Sequence, residues 1–284
     1  MALRQRLVAL NLAVFLSVIG YVGGFSRADQ RGSGRVQCPH CEKDGSEVSQ
    51  LLDKADAIYA RFDSPEALKL LTRVLELDPR NYEALSKVAR VYIDFGDNIP
   101  ETTPDWEKKR LRQYHIAEQY ARKAVKANPK GTWGHFYIAA SLGKIAVLST
   151  VPKQIDLSRE IRQEVEKSIA LDPQNGFAYH IYGVWQRKMA EIGKASRFLA
   201  SVVLWRSVPK GTLKKSVEYL KKSLSLHPAI IASHLEIART YMAMHEWRIA
   251  RKHLKTVEQL PIQFSDDFRH KEKAQQLLQE IKDR

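Results

Sequence analysis

Three times along this chain a small residue is followed, twelve positions later, by a proline: Ala67 to Pro79, Ala117 to Pro129 and Ser216 to Pro228. Each interval closes an amphipathic run, as in Ala67-Leu68-Lys69-Leu70-Leu71-Thr72-Arg73-Val74-Leu75-Glu76-Leu77-Asp78-Pro79. Proline cannot continue a helix, and a small residue lets two helices approach closely, so the recurrence predicts stacked helical hairpins. Such a solenoid buries its apolar faces between neighbours and offers a continuous surface to a partner. The fold class expected is all-α.

The first hairpin shows the pattern most cleanly. Leu51, Ala55 and Ile58 share one helical face, Ser64 is the expected cap of the second helix, and Pro65 stands in its first turn. Ala67, Leu71 and Val74 line that second helix before Asp78-Pro79 ends it. Ala55 and Ala67 are twelve apart, and so are Ala238 and Ala250 in the last hairpin, where Tyr241, Leu254 and Val257 take the large positions.

At these residues the chain resembles the tetratricopeptide repeat (TPR), which places small residues at its eighth and twentieth positions and proline at its thirty-second. Units start near Val48, Tyr82, His135, Phe177 and Ile231, and three are irregular. Ala89 and Ala117 are 28 apart, Gly183 and Ser216 are 33 apart, and the third unit has Ile161 where a small residue is expected. The expected architecture is a right-handed α-solenoid of about five irregular TPR-like hairpins with a C-terminal capping helix.

The expanded second and fourth units occur together with Gly176-Phe177-Ala178-Tyr179-His180-Ile181-Tyr182-Gly183-Val184-Trp185, which follows Ala170-Leu171-Asp172-Pro173. Ser233 to Tyr241, Leu260-Pro261 and Asp266 to Ala274 follow further on. With these the chain is similar to the regulator of microtubule dynamics family, including its bacterial relatives. The resemblance implies a non-catalytic helical-repeat body, often associated with a membrane. It links animal members to microtubules and mitochondria, and one branch to organelle contacts and phospholipid binding. It supplies no catalytic motif to carry over.

Arg4 and Arg6 precede nineteen uncharged residues, Leu7 to Phe25, and no acidic residue occurs before Asp29. A basic start, an apolar run and Ser26-Arg27-Ala28 read as a secretory signal peptide; the same run is long enough for an uncleaved anchor. A mitochondrial presequence is a third reading. Residues 1–28 are therefore taken as a signal peptide or membrane anchor, 29–46 as a flexible linker, and 47–284 as the repeat domain. The expected location is membrane-anchored or exported: periplasmic in a bacterium, a mitochondrial or other organelle membrane in a eukaryote.

The linker holds both cysteines, in Cys38-Pro39-His40-Cys41. A local disulfide between Cys38 and Cys41, an idle pair, or an intermolecular metal clip or disulfide are the readings open to it. No second cysteine pair completes a zinc site within the chain, and Glu42 stands where haem attachment would need histidine.

Functional residues are sought on surfaces. The first helices of the units supply Tyr92, Tyr137, Tyr179 and Tyr241 as groove candidates for a protein partner, with inter-repeat core packing as the alternative for Tyr137 and Tyr179. The fourth-unit insertion, Lys194 to Lys210, has an apolar centre and basic flanks. Either Phe198, Val202 and Trp205 pack beneath the solenoid, or they touch a membrane with Arg197 and Arg206 at anionic lipid headgroups.

A net charge of +14, from 46 basic and 32 acidic residues, allows an acidic partner. No nucleic-acid-reading motif accompanies it, so nucleic acid is not expected as a partner. His245-Glu246 lacks the second histidine of a zinc protease motif, and neither a phosphate-cradling loop nor a nucleophile elbow is present. No catalytic residue, metal ligand or cofactor is expected. Asp266 and Asp267, after Pro261, are expected to favour the start of the last helix.

Overall fold

The computed structural model describes residues 42–203, 205 and 207–284, and among these it has twelve α-helices and no strand. In chain order they are α1 (Glu42–Tyr59), α2 (Ser64–Leu77), α3 (Tyr82–Asp97), α4 (Trp106–Ala127), α5 (Thr132–Val147) and α6 (Val151–Leu171). There follow α7 (Gly176–Glu191), α8 (Lys194–Val203), α9 (Leu213–Leu226), α10 (Ile231–Ala243), α11 (Trp247–Gln259) and α12 (Asp267–Glu280). The chain is an α-solenoid of TPR-like hairpins. The N-terminal segment 1–28, Cys38, Cys41 and Arg206 lie outside the described residues. Among the described residues no helix is long and apolar enough to cross a membrane. α1 begins at Glu42, ahead of residue 47.

The prolines act through one repeated turn. α2, α4, α6 and α9 each end two residues before Pro79, Pro129, Pro173 and Pro228, and the next helix begins three residues after the proline. In each turn the carbonyl of the residue before proline accepts the N–H three positions on: Asp78 from Asn81 at 3.0 Å, Asn128 from Gly131 at 3.0 Å, Asp172 from Asn175 at 3.1 Å, and His227 from Ile230 at 3.3 Å. The helix therefore stops where proline forbids continuation, and the turn aims the chain straight into the next helix. Asn81 and Asn175 then cap α3 and α7 through Ala84 N and Ala178 N.

One cap differs from expectation. Asp63, not Ser64, is the N-cap of α2: its carboxylate accepts from Glu66 N at 3.1 Å, while Ser64 is the first helical residue and is buried.

The chain contains two compact units, and the division falls inside α5. Among the described residues, the first unit holds 42–141 and Gln263–Asp266. Its core joins Leu52 and Ala55 of α1, Leu71 and Val74 of α2, and Ala84, Val88 and Val91 of α3. The extra residues of the second hairpin form the loop from Asn98 to Asp105 and a long α4. Arg110 fixes that loop by donating from Nε (3.0 Å) and Nη2 (2.6 Å) to the Ile99 carbonyl. α5 starts against the Tyr82 hydroxyl, which accepts from Trp133 N (2.8 Å) and Gly134 N (3.3 Å) and so satisfies two of the helix's free donors. The Tyr82 ring fills the place where a Cβ on Gly131 would go.

The second unit holds Leu142–Ile262 and Asp267–Arg284. Here α7 pairs with α9, α10 pairs with α11, and α12 packs on both α10 and α11. Leu235, Ala238, Ala250, Leu254, Val257, Ala274 and Leu277 are among the core of these last helices. Arg251 of α11 donates from Nη2 to the carbonyls of Ile281 (2.7 Å) and Arg284 (3.1 Å), placing a cation at the negative end of α12. Asp267 stands in the first turn of α12, at its positive end.

α10 and α11 also meet at two histidines. His234 Nε2 donates to the Pro228 carbonyl (3.0 Å), which leaves its Nδ1 to accept from His253 Nδ1–H (3.0 Å). Burial, then His234, Lys252 and Lys221, pull the His253 pKa down to about 4. Protonation of His234 at Nδ1 would set two donors face to face.

This packing has two measurable consequences. A Cβ on Gly183 would lie 2.6 Å from Leu220 Cγ and 3.2 Å from Leu220 N, forcing α7 from α9. Gly183→Ala should cost about 1–2 kcal/mol net, overpacking outweighing the gain in helix propensity. Gly193→Ala, with nothing within 4 Å of the added carbon, should leave the thermal midpoint unchanged. Because the folded His253 pKa lies below its ordinary 6.5, the folded chain binds fewer protons than the unfolded chain in that window. Stability should fall as pH drops from 6.5 towards 4, less steeply in His253→Gln; denaturant melts across that range test it.

Candidate partner-binding surfaces

The first helices of the hairpins carry charge where their surroundings call for apolar residues. On α3, Lys87, Arg90, Asp94 and Asp97 recur at intervals of three, four and three, so they form one stripe, and all four are buried. α1 contributes Asp56 and Tyr59. Lys87 Nζ donates to Asp56 Oδ2 (2.7 Å) and Glu83 Oε1 (2.5 Å), and the Tyr59 hydroxyl donates to Asp94. The Arg90 guanidinium lies over the Tyr59 ring, 3.6 Å from its centroid, with Nη2 3.8 Å from Asp56 Oδ1. That contact is too long for a hydrogen bond. Arg90 Nε and Nη1, and the hydroxyl of Tyr137 on α5, have no hydrogen-bond partner.

These tyrosines stay protonated. Burial pushes Tyr59 up to about 12 despite the opposing effect of Arg90. Burial also raises Tyr137 far above the ordinary phenol value, again against Arg90. Both phenols are donors throughout the neutral range, so the stripe joins buried donors to an arginine whose hydrogen-bonding capacity is only partly used.

The second unit has a comparable cluster with its acid fully matched. Glu236 of α10, buried, accepts from Arg187 of α7 through one oxygen and from Arg239 through the other, and Arg187 Nη1 reaches Glu191 at 2.7 Å. Burial alone would raise the Glu236 pKa, but Arg187, then Arg239 and Lys188, hold it well below the carboxylate range. Burial and the neighbouring Arg187 bring Lys188 down to about 8.

The four expected groove tyrosines are not brought together. Tyr92 stacks on Tyr120 of α4 (5.8 Å, 11°), Tyr179 on Tyr219 of α9 (6.2 Å, 29°) and Tyr241 on His253 of α11 (6.0 Å, 13°). Each of the three packs on the second helix of its own hairpin. Tyr137 alone joins the charged stripe, within electrostatic reach of Arg90, Tyr59 and Asp94. Lys87, Arg90, Asp94, Arg187 and Glu236 were missed from sequence, although their signal is visible there: charged residues at helical spacing inside segments otherwise rich in small and apolar residues.

The fourth-unit insertion forms α8 and the loop after it. Ala200 is fully buried and packs with Val151 and Ile155 of α6. Arg197 also turns inward. Its Nε donates to Ile192 O (3.0 Å), its Nη1 to Pro209 O (2.9 Å) and Val208 O (3.1 Å), and its Nη2 to Met189 O. It thus ties the two ends of the insertion together. Phe198, Val202 and Trp205 face outward, exposed by 67%, 53% and 90%.

The Glu236 cluster generates a stability prediction. Glu236→Leu strands Arg187 and Arg239 without their shared acid and should cost about 3–5 kcal/mol, the range for removing one partner of a buried pair. A denaturation midpoint compared with that of the exposed control Glu246→Leu measures it.

The sequence profile described as Regulator of microtubule dynamics protein 1-3 matches residues 51–282. Regulator of microtubule dynamics protein 1 of Bos taurus is 25% identical over 239 residues, covering 84% of this chain and 73% of the relative. Protein 3 of Xenopus laevis is 25% identical over 218 residues, covering 76% of this chain and 46% of that longer relative. Among solved structures, a thermophilic TPR protein of Thermus thermophilus superposes with a TM-score of 0.57 at 14% identity, over 82% of this chain and 99% of its own. That likeness is one of fold and agrees with the hairpins described above. With the family pattern running from α1 into the turn after α12, the chain belongs to the regulator of microtubule dynamics family.

Proposed function

We propose that this helical-repeat scaffold is a non-catalytic adaptor, held at or beyond a membrane by its N-terminal segment, that binds a protein segment along the first helices of its hairpins. The observation that carries the reading is the α3 stripe: Arg90 Nε and Nη1 and the Tyr137 hydroxyl are buried donors with no acceptor in the protein. Leaving a buried donor unpaired costs about 1–3 kcal/mol, so an incoming carboxylate or backbone carbonyl would recover that energy on binding. Solenoids present continuous surfaces, and an extended segment supplies carbonyls at regular spacing; reaching these three donors requires the packing over the stripe to open, because each is closed to solvent. The relatives are named as regulators of microtubule dynamics, a role that an adaptor fits. Neither a cofactor nor nucleic acid enters the reading.

A second reading, a lipid- or amphiphile-binding or membrane-contact solenoid, is favoured by the outward Phe198, Val202 and Trp205.

The adaptor reading is tested by selecting displayed peptides on the full chain and measuring the affinity of the selected segment for variants. Tyr137→Phe removes only an unpaired hydroxyl, so its melting temperature should hold or rise slightly. Its affinity for the segment should fall about tenfold, the equivalent of 1.4 kcal/mol. Unchanged affinity removes Tyr137 from the surface, and failure to select any segment removes the adaptor reading.

A further inference from the structure

α8 reverses the usual sidedness of a surface helix. Lys194, Phe198 and Val202 lie four residues apart on one face, while Arg197 and Ala200, three apart, define the other. Ordinarily arginine would face water and phenylalanine would be buried. Here Arg197 is turned in and bound by four backbone carbonyls, Ala200 is fully buried, and Phe198 and Val202 face solvent. Trp205, two residues past the helix end, is 90% exposed and has a left-handed backbone (φ 52°), a conformation that costs a non-glycine residue energy. The strained turn and the inward arginine both leave the largest apolar side chains outside.

The charge around this face selects its occupant. From Ile192 to Val217 the sequence has six basic residues and no acidic one. With Arg197 spent internally, Lys194, Lys210, Lys214 and Lys215 remain exposed in the same stretch of chain as the apolar set. A second copy of the chain would bring like charge against like. An anionic bilayer meets both requirements: aromatic and aliphatic side chains enter the headgroup–acyl boundary while lysines stay at the phosphates.

We infer that the outward face of α8, with Phe198, Val202 and Trp205 at its centre, is a peripheral docking site for an anionic membrane surface, fixed in place by the Arg197 clamp. The inference rests on the membrane-contact reading and adds a second contact, separate from the N-terminal segment. α8 is ten residues long, too short to span a bilayer, so it lies in the interface plane. Arg197 is a positioning residue, because its guanidinium holds the two ends of the insertion together and leaves the lysines to meet the headgroups.

The test uses the full chain with vesicles of phosphatidylcholine alone, or with about 30 mol% phosphatidylserine, whose acyl chains are brominated to quench nearby indoles. The Trp205 signal is the emission difference between the protein and Trp205→Phe. It should be quenched on anionic vesicles, recover in about 0.5 M NaCl, and stay bright on neutral ones. Phe198→Ser with Val202→Ser should abolish the quenching without lowering the melting temperature, since both side chains are exposed. Co-sedimentation of the protein reports the N-terminal segment independently. Vesicle binding with an unquenched Trp205 overturns the α8 site and leaves membrane attachment standing, whereas no binding at all overturns both. Equal quenching on neutral vesicles overturns the anionic assignment. A mass that doubles with concentration in the wild type but not in the double serine variant assigns the face to a second copy instead.

Discussion

The hairpins depend on helices crossing closely, which requires almost nothing at the point of contact. Ala55, Ala67, Ala84 and Ala117 in the first unit, and Gly183, Ser216, Ala238 and Ala250 in the second, stand at buried positions with at most a methyl or hydroxymethyl side chain. Gly183 leaves room for Leu220 of the facing helix, and Gly134 does the same for Val125. Once helices approach this far, each small side chain sits in a hole lined by larger ones, and dispersion over many such contacts offsets the chain entropy lost. The proline turns then deliver the next helix to the same distance. Close crossing and sharp turning are two aspects of one repeat.

This is why the repeat architecture was legible from sequence. Small residues and prolines act through sterics, and their spacing survives whatever the surrounding side chains do. The unit starts read near Tyr82 and Ile231 coincide with helix starts three residues after Pro79 and Pro228, whereas those read near His135 and Phe177 fall later than α5 and α7, which also begin three residues after their prolines. The cap at Asp63 rather than Ser64 was harder, because both residues accept hydrogen bonds and only their placement decides between them. Tyr82 capping α5 from 51 residues away has no local signal at all. Among the candidate sites, aromatic periodicity pointed to Tyr92, Tyr179 and Tyr241, whose stacking on their own second helices is what a large ring at helical spacing does first. The charged stripe on α3 was visible as Lys87, Arg90, Asp94 and Asp97 but meant nothing until all four of these side chains were seen to be buried.

Polar residues inside and apolar residues outside are the two ways a chain departs from its binary pattern, and this one does both. In the Glu236 cluster the buried acid is closed by geometry, shared between two arginines, while Arg187 Nε has no acceptor. Around Arg90 the closure is incomplete: Tyr59 and Asp56 engage one side of the guanidinium, and two of its nitrogens remain without an acceptor. On α8 the departure runs the other way: Arg197, half-buried, is turned onto backbone carbonyls while Phe198 and Val202 stay outside. Natural sequences tolerate such inversions mainly where the surface is used for something. The open stripe around Arg90 and the α8 inversion fall in the second and fourth units, the two with expanded spacing.

The two surfaces also differ in the physics that would govern them. The phenol of Tyr137 keeps its proton far beyond neutrality, and arginine keeps its charge at any accessible pH, so donors on α3 offer a partner the same groups in every compartment. At such a membrane the lysines of the α8 region would act through long-range attraction to anionic headgroups, which salt screens over about 10 Å at 0.1 M and which disappears on a neutral bilayer. A segment bound through the first surface would be held by local hydrogen bonds that neither change affects. Attachment through the second would follow lipid composition and ionic strength. An adaptor built this way could change the membrane it rests on without changing what it carries.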